Sequence, residues 1–208
     1  MAIVDYSSLQ AAIVTWAMRD GDTDFAARVT DFITLAEERL NNSLLVRQME
    51  TTVTLTPDSS GNCTLPTDFK GFRSVSTIYN GYNVDLELTS NDQYNDLYPN
   101  DDISNGPVYF TIQGSYLHVV PTYTGSVKLV YWQKIPALSN SNTTNWLLSA
   151  APSVYLYSAL LESAPFIMDD ARAQVWGKML ETAINNLESS DRNQRYSRVI
   201  SRVRGATP

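Results

Sequence analysis

Hydrophobic periodicity changes twice along this 208-residue chain, and those two changes constrain the fold more than any single motif. From Leu9 to Leu44 apolar residues recur every three or four positions, the spacing of one helix face. From Glu50 to Gln133 short β-type runs separated by turn clusters take over. After Asn145 the helical spacing returns. This order predicts an α+β chain, a helical bundle formed by N- and C-terminal helices with an inserted antiparallel β domain. The boundaries it suggests are 1–48 and 140–190 for the bundle, 49–139 for the β domain and 191–208 for a basic C-terminal arm.

Ser7 and Ser8 are candidate caps for a first helix carrying Leu9, Ala12, Ile13, Trp16 and Ala17, which Asp20-Gly21-Asp22 stops. Asp24 opens a longer helix ending near Leu45. Its apolar stripe runs from Phe25 to Leu44, with Asp31, Glu37, Glu38 and Arg39 expected on the wet side. In the β region Thr52–Thr56 alternates, and Cys63–Leu65 returns after a turn. Asn80-Gly81 joins Phe72–Tyr79 to Tyr82–Leu88, a strong hairpin signal. Gly114-Ser115 joins Val108–Gln113 to Tyr116–Val120, and Ser126–Gln133 is the last strand. A single helical turn is expected at 90–97. Ser153–Ser163 reads as a nearly all-apolar helix that Pro165 breaks. Asp169 or Asp170 then caps a final helix with Val175, Trp176, Met179, Leu180, Ala183, Ile184 and Leu187 on one stripe.

The chemistry-bearing residues are few. One cysteine, Cys63, precludes an internal disulfide, and one histidine, His118, leaves no His/Cys cluster for a metal. His118 alternates with Leu117 and Val119 and reads as a half-exposed strand residue. No Gly-x-Ser-x-Gly elbow accompanies it. Cys63 reads as a packed or partly exposed thiol. Asp92, Asp96, Asp101 and Asp102 lack the ligand order of a calcium loop and read as a solvated acidic stretch. No phosphate-cradling glycine loop is present. No catalytic, cofactor-binding or metal-ligating residue is therefore assigned, and the chain is not expected to be an enzyme. Twelve tyrosines and four tryptophans would suit a sugar-stacking surface, although strands favour tyrosine in any case.

Charge is more informative. The total is −7, which argues against tight phosphate-backbone binding. No Lys or Arg lies between Ser74 and Val127, while six acids do. After Asp191 there is no acid, and five arginines follow, leaving −12 on the rest of the chain. Such asymmetry marks an interaction tail on a self-repelling body. Arg192, Arg195, Tyr196, Arg198, Arg202 and Arg204 are the candidate contact residues. Their guanidinium groups suit bidentate carboxylate recognition. No apolar run reaches the roughly 18 residues of a membrane span. Residues Met1–Asp5 lack the features of a signal peptide, so synthesis in a reducing cytoplasm is expected.

Several fragments, in order, resemble the head–tail adaptors (connector, or tail-tubular-A-like, proteins) of short-tailed bacteriophages. They are Tyr6–Gln10 with Phe32–Leu40, Arg47–Glu50, Leu65–Phe69 with Arg73–Val75, and Gly106-Pro107 with Tyr109–Gly114 and Leu117–Pro121. The most specific stretch is Asn145–Leu148 through Tyr155–Tyr157, Leu160–Glu162, Phe166, Asp169-Asp170, Ala173 and Trp176. The resemblance implies a virion protein of the neck, made in the host cytoplasm. It implies a ring, commonly of twelve copies, between the portal protein and the tail hub, nozzle or fibres. DNA would pass through that ring without sequence-specific binding, and no membrane or cofactor is involved. An acidic body suits such a conduit because it repels phosphate, though acids also confer solubility. The alternative is a tail-associated carbohydrate-binding or depolymerising protein using the tyrosine-rich β domain.

Overall fold

The computed structural model describes residues 2–90, 93 and 106–196. The chain divides into two compact units, one of Met1–Arg47 with Ile135–Pro208 and one of Gln48–Lys134.

The first unit holds helices α1 (Tyr6–Trp16), α2 (Thr23–Ser43), α3 (Trp146–Ala150), α4 (Pro152–Ile167) and α5 (Asp170–Tyr196). Helix α1 is capped by Asp5 rather than by Ser7 or Ser8. The Asp5 carboxylate accepts the Ser8 N–H at 2.8 Å, and Ser8 Oγ accepts the Asp5 N–H at 2.9 Å, a reciprocal capping box. Asp22, two residues before the expected Asp24, caps α2 through the Phe25 N–H at 3.0 Å. Helix α3 was not foreseen. Its five residues are too few to show a period, and it is held by its cap, Asn145.

Helix α4 is the centre of the unit, packing on α1, α2, α3 and α5. Val154, Tyr155, Ala159 and Leu160 are wholly buried. Pro165 does not end it. Lying in the last turn, the proline forfeits only one intrahelical bond, and the helix continues to Ile167 before Met168 turns left-handed.

The largest departure from expectation is Glu37. Instead of facing water it is buried, and its Oε1 accepts the Leu138 N–H at 2.7 Å and the Tyr155 hydroxyl at 3.1 Å. The same hydroxyl accepts from Asn145 Nδ2 at 2.6 Å. Asn145 Nδ2 also donates to the Pro136 carbonyl at 2.7 Å, and Asn145 Oδ1 caps α3 through Leu148 at 2.8 Å. Asn41 on α2 accepts the Ile135 N–H at 2.8 Å. A partner supplied from about a hundred residues away explains the mismatch, because local charge patterning cannot see it.

The second unit is one curled seven-stranded sheet of order β1-β7-β3-β4-β5-β6-β2. Its strands are β1 (Glu50–Leu55), β2 (Asn62–Thr64), β3 (Phe69–Tyr79), β4 (Tyr82–Leu88), β5 (Tyr109–Gln113), β6 (Tyr116–Val120) and β7 (Val127–Gln133). All seven feed one core, including Leu55, Cys63, Val75, Leu86, Phe110, Leu117 and Leu129. The first strand pairs with the last, Glu50 opposite Trp132 through Leu55 opposite Val127. Asn80 and Gly81 both have positive φ, the conformation a two-residue type I′ turn requires.

The expected antiparallel domain needs one correction, because β4 and β5 run parallel with Glu87 opposite Tyr109. Residues 89–108 separate them, long enough for the chain to return in the same direction. The strand that holds Cys63, β2, likewise pairs with β6 rather than with β1. The helical turn expected at 90–97 falls almost wholly outside the described residues, as do Asp92, Asp96, Asp101 and Asp102.

Burial holds the Glu37 carboxyl above its ordinary range, its two donors only partly offsetting the effect. The folded chain therefore binds this proton more tightly than the unfolded chain. The stability it contributes is complete below the ordinary glutamate pKa of about 4.3 and declines as the pH rises through its folded value. Glu37→Gln keeps an acceptor for both donors. It should fold normally and, in denaturant titrations from pH 4 to 8, lose this part of the pH slope. Glu37→Ala leaves both donors unsatisfied and should cost about 2–4 kcal/mol.

Candidate functional site

The five arginines after Asp191 direct attention to the end of α5, where the helix continues unbroken to Tyr196. A boundary at residue 190 therefore falls within a helix. Asp191 is buried there, and its carboxylate accepts the Arg47 N–H at 3.2 Å with the Arg47 Nε 3.9 Å away. One turn on, Gln194 Oε1 accepts from the Arg47 guanidinium at 2.6 Å. These contacts fasten one side of the last turns of α5. Arg192 and Asn193 remain exposed on the other.

Of the residues singled out from sequence, Arg192 is thus an exposed cation on a fixed helix. Arg195 and Tyr196 lie in the same helical backbone. Arg198, Arg202 and Arg204 lie outside the described residues. Sequence reasoning missed Asp191, which it treated as the last acid of the body. A lone acid on the otherwise basic end of a helix was the available signal.

An open groove of about 630 Å³ runs along α5, lined by Ala151, Pro152, Tyr157, Met179, Ala183 and Leu187 among others. Its one charged lining group is Lys178, so it offers no acid–base pair. In the second unit, Cys63 is fully buried and burial pushes its thiol up to about 11. His118 stands one register position away, with Nδ1 3.0 Å from Asn62 Oδ1. Strand alternation places thiol and imidazole on opposite faces, so they do not form a nucleophile–base pair. Among the described residues no group of three or more His, Cys, Asp or Glu side chains is arranged to hold a metal. No described helix is long and apolar enough to cross a membrane.

Among the described residues the tyrosines do not gather into one platform. Tyr131 is buried with its hydroxyl 2.9 Å from Asp68, and burial with that carboxylate raises it to about 12. Tyr123 donates to the Ile78 carbonyl at 2.8 Å and packs edge-on against Tyr79. The exposed Tyr82 and Tyr116 sit at the tips of two hairpins. The parallel register of β4 and β5 puts those tips at opposite ends of the sheet, about 30 Å apart.

No curated protein matches the chain. A family model described as SU10 adaptor protein matches residues 4–204, across both units. The ordered fragments that resemble phage adaptors fall within that span. The chain therefore belongs to the SU10 adaptor protein family and is a bacteriophage adaptor, a structural component of the virion.

Proposed function

We propose that this chain is a head–tail adaptor of the virion neck. Copies, commonly twelve in the connectors of short-tailed phages that it resembles, assemble side by side as a ring between the portal protein and the tail hub, nozzle or fibres. The ring surrounds the channel by which DNA leaves the capsid. The protein works by binding, not by catalysis, and it makes no sequence-specific contact with DNA. The observation that carries this reading is the adaptor-family match over residues 4–204.

Charge supports the same reading. The acid-rich body repels DNA phosphate, which lets a duplex slide without sticking. The helices of the first unit form the bundle that makes ring and portal contacts, and the β unit meets the tail. Arg192, Arg195, Tyr196, Arg198, Arg202 and Arg204 contact carboxylates on the portal or a neighbouring copy. Before assembly the chain is a monomer or loose oligomer, since free rings would compete with assembly on the portal.

Purified chain mixed with portal rings from the same phage should co-migrate with them in sedimentation. Glycan binding or cleavage by the isolated chain, with no portal association, would replace this reading by the carbohydrate-directed one. A chain ending after Tyr196 should keep its stability to within about 0.5 kcal/mol and associate with portal rings at least tenfold more weakly. A chain ending after Ser190 should also lose about 1–3 kcal/mol, because the Arg47 N–H forfeits its Asp191 acceptor. Equal stability of the two truncations in thermal unfolding would contradict that role for Asp191.

A further inference from the structure

At one end of the first unit, two methionines occupy positions where helix ends usually place glycine. Met18 follows Ala17, the residue that caps the end of α1, with φ 55°, and Met168 closes α4 with φ 53°. Both are left-handed, a conformation that disfavours any residue with a Cβ. Met18 is nonetheless 75% exposed and Met168 90% exposed, so neither side chain is there to fill a core.

Arg172 binds the two turns together. Its guanidinium donates to the Ala17 carbonyl at 3.3 Å and lies 3.7 Å from Met18 Sδ. Its Nε is 3.0 Å from the carboxylate of Asp169, the neighbour of Met168. Trp16, half exposed and edge-on to Tyr157, extends the apolar area along α1. Val175, one turn beyond Arg172 and 52% exposed, extends it along α5. The rim is acidic. Asp20, Asp22, Asp24 and Asp169 outnumber Arg19 and Arg172, and each arginine is already opposite one of these acids.

The surface is thus apolar and adaptable, with methionines that reshape to fit a partner, and it is edged with negative charge. The chain itself contains the complement. Residues 197–208 carry Arg198, Arg202 and Arg204, no acid, and the apolar Val199, Ile200 and Val203. We infer that the Met18–Met168 tip of one copy is the receptor for residues 197–208 of the next copy.

Geometry selects the neighbour over the chain's own tail. The tip lies at the start of α5 and the tail leaves from its end, 27 residues and about 40 Å away. The twelve residues beyond Tyr196 reach at most about 40 Å when fully extended. Folding back would spend the whole length on the journey and leave none to seat. A tail-to-tip contact between copies joins two different surfaces, the kind of contact that closes rings. The inference rests on the reading that copies assemble side by side, and it names the surfaces they use.

The test uses the full chain with isotope-labelled methionine methyls, kept dilute enough to be monomeric and titrated with a synthetic peptide of residues 197–208. The Met18 and Met168 signals should shift together, and the binding should weaken as salt is added. The M18G/M168G double variant relieves both left-handed positions, so its melting temperature should not fall, yet it should bind the peptide at least tenfold more weakly. Absence of any shift, or shifts confined to Met49 or to Met179 in the groove, would overturn the inference. So would full-strength peptide binding by the double variant. Portal rings added to wild-type chain separate the two readings. Portal association without the methyl shifts removes the tip and keeps the adaptor, whereas methyl shifts without portal association do the reverse.

Discussion

One hydroxyl group organises the helical unit. Tyr155 sits fully buried on the central helix, receiving a hydrogen bond from Asn145 and giving one to Glu37. Through Glu37 it reaches α2 and the Leu138 backbone, and through Asn145 it reaches Pro136 and the start of α3. A polar network in an apolar centre is favourable only when every member is satisfied. Here the donors of Asn145 and both roles of the tyrosine oxygen are used. The network therefore specifies one arrangement, whereas apolar packing alone tolerates several. Arg39 and Glu162, 2.5 Å apart, add a second tie between α2 and α4 at the surface.

The periodicity of α2 and α5 and the Asn80-Gly81 turn were legible because each depends on neighbours in sequence. Tyr82–Leu88 and Tyr116–Val120 agree with the expected strand limits for the same reason. What sequence could not show depended on distant partners. Glu37 looked like a solvent-facing acid because its donors, Leu138 and Tyr155, are far along the chain. The parallel β4–β5 pair was hidden because strand pattern carries no sign of direction. Asp191 was visible only as a charge, since its fixed partner is the backbone of Arg47. At the candidate site the basic bias is legible in the sequence. The αL methionines are not, because nothing in composition reports a backbone angle.

Charge and shape follow a common logic in an adaptor. In the ring proposed above, each chain would need surfaces that attract its neighbours, yet it would have to stay apart from them until the portal is in place. A net charge of −7 makes copies of the chain repel one another at long range. The five arginines after Asp191, with no acid among them, would leave a localised attraction that repulsion between the bodies does not cancel. Screening by salt acts on both, so ionic strength sets their balance.

The pairing of the first β-strand with the last has a consequence for modularity. Glu50 lies opposite Trp132 in adjacent strands, so the chain enters and leaves the β unit roughly 5 Å apart. An insertion whose two ends meet makes little demand on the spacing of its host. The β unit can therefore be lengthened, reshaped or exchanged for another with neighbouring termini without stretching the helices that flank it. If the two units answer to different neighbours, as proposed, each can then change at its own pace.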